Sequence, residues 1–337
     1  MATRDSLPGP DPSVRDRLRF ARQSVGELVP TPGEGIVGYV FLLPAFVLFG
    51  VFLAFPIIYT FYLSFFRFNG VGNDTLLWIE TGFFEYKLTS IADLEFVGLA
   101  NYTAMFSDSL FHQALFNTTF ILVVQVPLMI ALALLFAVAL DASFVRLRGV
   151  FRTVLALPVS ANLVAYSTVF LLMMQDAGLV NYVLTAVGLP AIPWLTSSFW
   201  SRMTIVGAVT WRWTGYNMII LLAGLQNIPQ QLYEAAEIDG ATRIQKFRYV
   251  TVPQLRPVLL FVFVTSTIGT FKLFSEPVII NGGGAPLDST ITIVQYIYQA
   301  AFIDFRLGYA SALTYVLIAV VSVLSAIQLN VGGESDA

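Results

Sequence analysis

Two groups of residues in this chain have the side chains with which proteins hold polar ligands. Lys272 and Glu276 stand one helical turn apart in a largely apolar run. In a bilayer, ionisable groups are costly and face a cavity or each other. The pair therefore reads either as a polar lining or as an i, i+4 pair closing on itself near a helix end. Trp211, Arg212, Trp213, Tyr216 and Asn217 put aromatic faces beside hydrogen-bond donors, the combination that holds sugars. The alternative for Trp211 and Arg212 is an interfacial aromatic belt with a snorkelling Arg. Asn162, Tyr166 and Gln175 are further polar residues in an apolar stretch, suited to lining a path or to bonding helix to helix. None of this is bond-making chemistry. There is no cysteine and a single histidine, His112, which excludes thiol chemistry, Cys-ligated metals and multi-His metal sites. No catalytic residue and no metal site is expected.

The elements that must position these residues follow from composition. The 337 residues are 57% apolar and 12% charged, with a mean hydropathy of +0.75, against about 25% charged in an ordinary soluble domain. Such a chain is an all-α polytopic membrane protein. Uncharged runs of about 20 residues predict transmembrane helices, and six are expected, over residues 35–66, 114–140, 153–175, 203–225, 257–280 and 307–331. Pro44 and Pro56 suggest kinks in the first. Residues 1–34 read as a polar cytoplasmic leader without a cleavable signal, residues 67–113 as an extracellular loop, and residues 332–337 as a short cytoplasmic tail. Together, residues 35–331 form one six-span domain. Asn73-Asp74 reads as a turn, residues 101–106 as a short helix, and residues 179–187 as an interfacial or re-entrant helix too short to cross. The net charge of −3 points to no nucleic-acid partner. Counting bases with both termini inside puts twelve Lys or Arg on the inner segments and four on the outer ones, which supports that orientation.

Residues 231–257 interrupt the apolar pattern. Asn227 is suited to cap a helix with Pro229 in its first turn. Leu232, Ala235 and Ala236 share one small apolar face, with Glu234 and Glu237 on another side. Gly240 suits a left-handed stop. Thr242 then starts a short second helix, residues 243–249, ending before Pro253. A helix–Gly–helix unit between two spans, on the cytoplasmic side, is placed to receive force from a soluble partner. The chain has no GxxxxGK[ST] phosphate loop, so any nucleotide is bound elsewhere.

Glu234-Ala235-Ala236, Asp239-Gly240-Ala241, Phe247, Val250, Pro253 and Pro257 resemble the EAA loop of ABC-importer permeases. Residues 96–102 (FVGLANY), 148–158, Gly178 with Asn181, the Gly turn at 282–286 with Thr290, and residues 298–302 are similar to segments of the carbohydrate-uptake branch, of the maltose and glycerol-phosphate type. The likeness covers about residues 36–330. It departs in an extra residue before Pro286 and in Phe170, where the family carries Trp. The resemblance implies a type I ABC importer permease fold and a permease subunit, not an enzyme, carrying a sugar across a prokaryotic cell membrane. It implies a second homologous permease, two copies of a cytoplasmic ATPase that binds ATP and Mg, an external solute-binding protein, and no cofactor on this chain. Glu234, Ala235, Ala236, Asp239, Gly240, Ala241, Phe247 and Pro253 would couple to the ATPase. Asn162, Tyr166, Tyr216, Asn217, Lys272 and Glu276 are candidates for the substrate path. Glycerol-3-phosphate or another small polar solute is the alternative cargo. A membrane-embedded enzyme or a standalone channel is the alternative class, and the near absence of acid or His clusters in the spans speaks against an enzyme.

Overall fold

The computed structural model describes residues 32–70, 75–81, 84–89, 93–142, 145–282 and 290–333. The expected leader up to residue 31, the Asn73-Asp74 turn, most of the Gly turn at 282–286 and the end of the tail lie outside the described residues. The chain divides into two compact units, residues 1–60 and 61–337. From the first, α1 (Pro32–Phe49) runs through a π turn at Gly50–Ala54 into α2 (Phe55–Leu63), whose last three residues belong to the second. Tyr39–Leu63 has the length and hydropathy of a span. The Thr60 hydroxyl donates to the Pro56 carbonyl at 2.7 Å.

The second unit includes two small antiparallel strand pairs, which begin at the edge of the predicted extracellular loop. β1 (Phe66–Phe68) pairs with β4 (Leu94–Phe96), and β2 (Thr75–Thr81) with β3 (Phe84–Thr89). Helix α3 (Ala100–Met105) follows, as expected for residues 101–106. The FVGLANY segment is a fastener. The Val97 amide bonds the Phe65 carbonyl at 2.9 Å, and the Asn101 amide donates to Ser64 and Phe66 carbonyls at 2.8 and 2.9 Å.

The membrane-crossing helices come next. α4 (Ser109–Asp141) and α14 (Leu307–Gly333) match expected spans. The expected third span is two helices, α5 (Arg148–Ser160) and α6 (Leu163–Met173), bent by 97°. The physical cause is Asn162. Its side chain accepts from the Val164 and Ala165 amides at 3.0 and 3.2 Å and so starts a new helix, just past Pro158 in the last turn of α5. α7 (Leu179–Ala186) is the expected short helix. Asn181 anchors it, bonding the Ile192 amide and carbonyl, both at 3.0 Å. α8 (Ser198–Gln226) contains the expected fourth span. It is less apolar than the other crossings, yet its 29 residues extend about 44 Å, and Arg212, Thr214 and Asn217 are buried in the protein.

α9 (Gln230–Ile238), α10 (Arg243–Lys246), a π turn at Phe247–Thr251 and α11 (Val252–Phe271) complete the sequence up to the next break. Two expectations change here. Asn227 ends α8 and does not cap α9, which Pro229 precedes. The second short helix does not stop before Pro253, because Arg243–Phe271 is continuous. Pro253 stands in the first turn of α11, where its missing N–H is tolerated beside a π turn. The fifth span ends at Phe271 and not at residue 280, with Lys272 as its C-cap. α12 (Ser275–Gly282) and α13 (Ile293–Tyr298) are short. Among the described residues, four helices are long and apolar enough to cross, or five with the bent pair. α8 contains the expected fourth span but falls short of that apolarity, so length and composition mark at most five of the six expected crossings among the described residues.

α4 and α8 form the principal pairing. Their C-terminal halves bury Ala133, Ala137, Met218 and Leu222 against Leu255 and Val262 of α11. Gly215 meets α5 so closely that a Cβ there would lie 1.7 Å from the Leu155 carbonyl oxygen. At the N-terminal end of α4, the Asp108 carboxylate caps the helix through the Leu110 and Phe111 amides and accepts from the Tyr296 and Tyr309 hydroxyls. Burial works to raise the Asp108 carboxyl, but the Tyr296 and Tyr309 hydroxyls and the two amides outweigh it and hold it below its ordinary value. The same carboxylate pushes Tyr296, already raised by burial, up to about 12.

Two outcomes follow. Gly215→Ala should destabilise the protein by about 1–3 kcal/mol through overpacking, seen as a lowered melting temperature in detergent; an unchanged melting temperature would refute the close approach of α5 and α8. Because the folded Asp108 carboxyl sits below its unfolded value, its tie is complete above about pH 4 and weakens as pH falls through the lower folded value. Asp108→Asn should remove this part of the acid sensitivity, and identical pH–melting curves for the two proteins would exclude it.

Candidate functional site

Three helices converge on one cavity of about 250 Å³. Helix α8 presents Val209, Trp213, Tyr216 and Asn217 along one face, at i, i+4, i+7 and i+8. Helix α11 adds Ser266, Gly269 and Thr270, again one helical stripe, and α4 adds Gln125 and Met129. The break after α11 brings Lys272 and Glu276 to the same wall. The lining thus combines two half-exposed aromatic rings, amide and hydroxyl groups, one ammonium and one carboxylate.

Much of this polarity is already bonded and fixed in place. The Thr270 hydroxyl donates to Gln125 Oε1 at 3.0 Å. The Asn217 amide donates to the Trp213 carbonyl at 3.1 Å and to the Met129 sulfur at 3.3 Å. Glu276, 3% exposed, accepts from the Tyr166 hydroxyl. Lys272 is exposed. Trp213 and Tyr216 stand edge to face, with centroids 5.7 Å apart.

Four of the six substrate-path candidates therefore line the cavity: Tyr216, Asn217, Lys272 and Glu276. Tyr166 stands behind the wall and reaches it through Glu276. Asn162 is the cap of α6. Lys272 and Glu276 do not pair with each other, because the helix breaks between them and removes the i, i+4 relation. The ion pairs among the described residues are Arg67–Glu95 and Lys246–Glu237. Arg212 is no snorkelling residue: it is 9% exposed, and its Nη1 and Nη2 donate to the Ala161 and Val159 carbonyls at 3.0 and 3.3 Å. Its guanidinium lies 4.7 Å from the Tyr166 ring centre. Trp211 packs on Phe170 at 5.4 Å. Sequence reasoning missed Gln125 and Thr270 on the wall. A glutamine in the middle of an apolar run was the available signal.

The helix–Gly–helix unit forms a second exposed feature. Gly240 takes φ +77°, which favours glycine. Thr242 and Gln245 form a capping box, and the Tyr233 hydroxyl bonds Thr251 at 2.9 Å, tying α9 to the π turn. Lys246 bonds Glu237 and holds its carboxyl below the usual range. Glu234, Ala235, Asp239, Gly240 and Pro253 are exposed, while Ala236, Ala241 and Phe247 are partly covered. Ile238 and Ile244 stand out at 88% and 79% exposure, an apolar surface bordered by carboxylates.

Residues 113–332 match the family described as binding-protein-dependent transport system inner membrane component. The chain is 40% identical over 301 residues to the lactose transport system permease protein LacF of Rhizobium radiobacter, covering 88% of this chain and 94% of that protein. It is 32% identical to the trehalose/maltose transport system permease protein MalF of Thermococcus litoralis, covering 85% of this chain and 90% of that one. A chain of the bacterial alginate ABC transporter, crystallised with an alginate pentasaccharide-bound periplasmic protein, superimposes with a TM-score of 0.72 over 90% of this chain and 96% of that chain. At 21% identity this last likeness concerns the fold.

If Asn162 acts as a helix cap, Asn162→Ala should lower stability by about 1 kcal/mol and Asn162→Asp should retain it. Thermal unfolding in detergent decides; equal losses for the two variants would remove the capping role.

Proposed function

The chain belongs to the family of binding-protein-dependent transport system inner membrane components, and we propose that its cavity is part of the path along which an ATP-driven importer carries a sugar. It is a multi-pass permease subunit, not an enzyme. The observation that carries the reading is the cavity wall: Trp213 and Tyr216 offer ring faces, and Asn217, Ser266 and Thr270 offer hydrogen-bonding groups between membrane-crossing helices. That is the apolar wall with a few placed polar groups that small-ligand sites use. Relatives named for lactose and for trehalose or maltose support a mono- or oligosaccharide as cargo. At about 250 Å³ the cavity is smaller than the roughly 300–1,000 Å³ that usually encloses a small ligand. A second, homologous permease supplies the remaining wall.

The other partners follow from the same reading. An external solute-binding protein delivers the sugar, as the alginate transporter's complex suggests by analogy. Both termini are cytoplasmic, which places α9 and α10 inside. There, two copies of an ATPase bind ATP and Mg, and their closure pushes on α9. Glu234 and Asp239 meet basic groups of the ATPase, and the exposed Ile238 enters an apolar recess. The capping box and the Tyr233–Thr251 bond pass the push to α11, whose continuous helix from Arg243 to Phe271 ends at the cavity. Cargo with an acidic substituent, such as glycerol-3-phosphate, is a second reading, favoured by the exposed Lys272 ammonium on the wall.

The test is purification of the chain with its partners and uptake into proteoliposomes of lactose, maltose and glycerol-3-phosphate. Sugar uptake that requires ATP and the binding protein is expected. Glu234→Lys should cut uptake about tenfold or more, within the usual range of coupling energies, with the concentration for half-maximal uptake unchanged. The reading falls if no ATPase co-purifies and Glu234→Lys leaves uptake intact.

A further inference from the structure

The buried groups around the break between α5 and α6 form one connected chain. The break leaves the Val159 and Ala161 carbonyls without helical partners, and Arg212 supplies donors to both. Its guanidinium lies against the Tyr166 ring at 4.7 Å. The Tyr166 hydroxyl donates to Glu276, in the first turn of α12. Glu276 is on the cavity wall. A buried cation and a buried carboxylate are thus held apart by one tyrosine that touches both. Arg212 Nε remains buried without a hydrogen-bond partner among the described residues. An unpaired buried donor is costly, so this guanidinium position leaves one bond still to be gained.

We propose that Tyr166 is a lock between α6 and α12, and that a sugar hydroxyl opens it by replacing the Tyr166 hydroxyl as the donor to Glu276. Both donors are hydroxyl groups, so the exchange leaves Glu276 bonded throughout. Released from α12, the Tyr166 ring and the Arg212 guanidinium are free to move, and with them the bent α5–α6 pair. Arg212 is a positioning residue here: it holds the break and the ring and does not touch the ligand. The lock rests on the sugar-importer reading, and it adds to that reading how an occupied cavity differs mechanically from an empty one.

The chain contains no cysteine, so labels can be placed cleanly. Spin labels at Val154→Cys on α5 and Val278→Cys on α12, both exposed positions, report the distance between the two helices in the assembled complex. The probe is lactose or maltose, whichever the uptake assay shows to be carried. Without sugar, Tyr166→Phe and Glu276→Leu should already show the distance distribution that the parent reaches only with sugar. Glu276→Gln keeps an acceptor oxygen and should behave as the parent. In ATP hydrolysis the ratio of sugar-stimulated to basal rate should fall about fivefold or more in Tyr166→Phe and Glu276→Leu, and should be restored in Glu276→Gln. The lock is overturned if Tyr166→Phe and Glu276→Leu superimpose on the parent without sugar. It is equally overturned if the parent does not respond to a sugar that does stimulate its ATP hydrolysis. A parent complex with no sugar-stimulated hydrolysis overturns the importer reading itself.

Discussion

In hydrocarbon there is no water to bond an interrupted backbone, so the protein must close every break in a membrane helix from within. The second unit of this chain is arranged around that requirement. At the α5–α6 break, Arg212 takes two carbonyls and Asn162 takes two amides. At the α11–α12 break, the Thr292 hydroxyl takes the Leu273 carbonyl at 2.8 Å. Next to it, Asn117 takes the Ile291 carbonyl and Thr118 the Ile293 amide, both at 3.0 Å. The polar residues inside the spans are therefore mainly there to close backbone. Others bond side chain to side chain at the cavity, as Thr270 does to Gln125 and Tyr166 to Glu276.

This division explains why the helix with the most polar interior residues is also the central one. α8 carries Arg212, Thr214 and Asn217, all buried, and its apolar length would not by itself mark a span. Each of those side chains finds its partner within the bundle: Arg212 at the break, Thr214 at the Thr210 carbonyl, and Asn217 at Met129 and Trp213. Polar groups satisfied within the protein do not have to meet lipid. Gly215 lets α5 lie flush on the same helix, which brings the broken carbonyls within reach of Arg212.

Much of this was legible in the sequence, and the limits have physical causes. Long uncharged runs located the crossings, because a bilayer demands about 20 apolar residues whatever the tertiary contacts. Gly240 and Thr242 marked the turn between α9 and α10, because left-handed backbone and N-caps have strong local preferences. The breaks after Ser160 and Phe271 were not legible. Asn162 looked like one more polar residue in a span, and Lys272 with Glu276 looked like a pair on one helix. Local pattern cannot tell a capped restart from a continuing helix when the residues on both sides are apolar. Arg212 was misplaced for a related reason: snorkelling and burial look alike until the acceptors, 51 and 53 residues away in the chain, are in view. Tyr216 and Asn217 were the easier case, since spacing on an established helix fixes which residues share a face.

The two walls of the cavity differ mechanically. α4 and α8 are unbroken over 33 and 29 residues and pack together, with Ala133 and Ala137 of α4 in one buried cluster with Met218, Leu221 and Leu222 of α8. Close-packed cores resist continuous deformation, so this wall is stiff. α6 and α12, which reach the cavity through Leu163, Ser275 and Glu276, both begin at breaks. A break concentrates the dihedral freedom of a hinge in a few residues at an element's end. The stiffness of α8 extends across the Gly215 contact to the first part of α5 and stops at Pro158. Beyond that point the α6 side is joined to α12 through Tyr166 and Glu276. Relative motion of the walls is thus resisted most where the backbone is continuous and least where single side-chain bonds bridge two restarts. A transport path needs such an asymmetry, because one wall must hold the ligand's position while the other changes access to it.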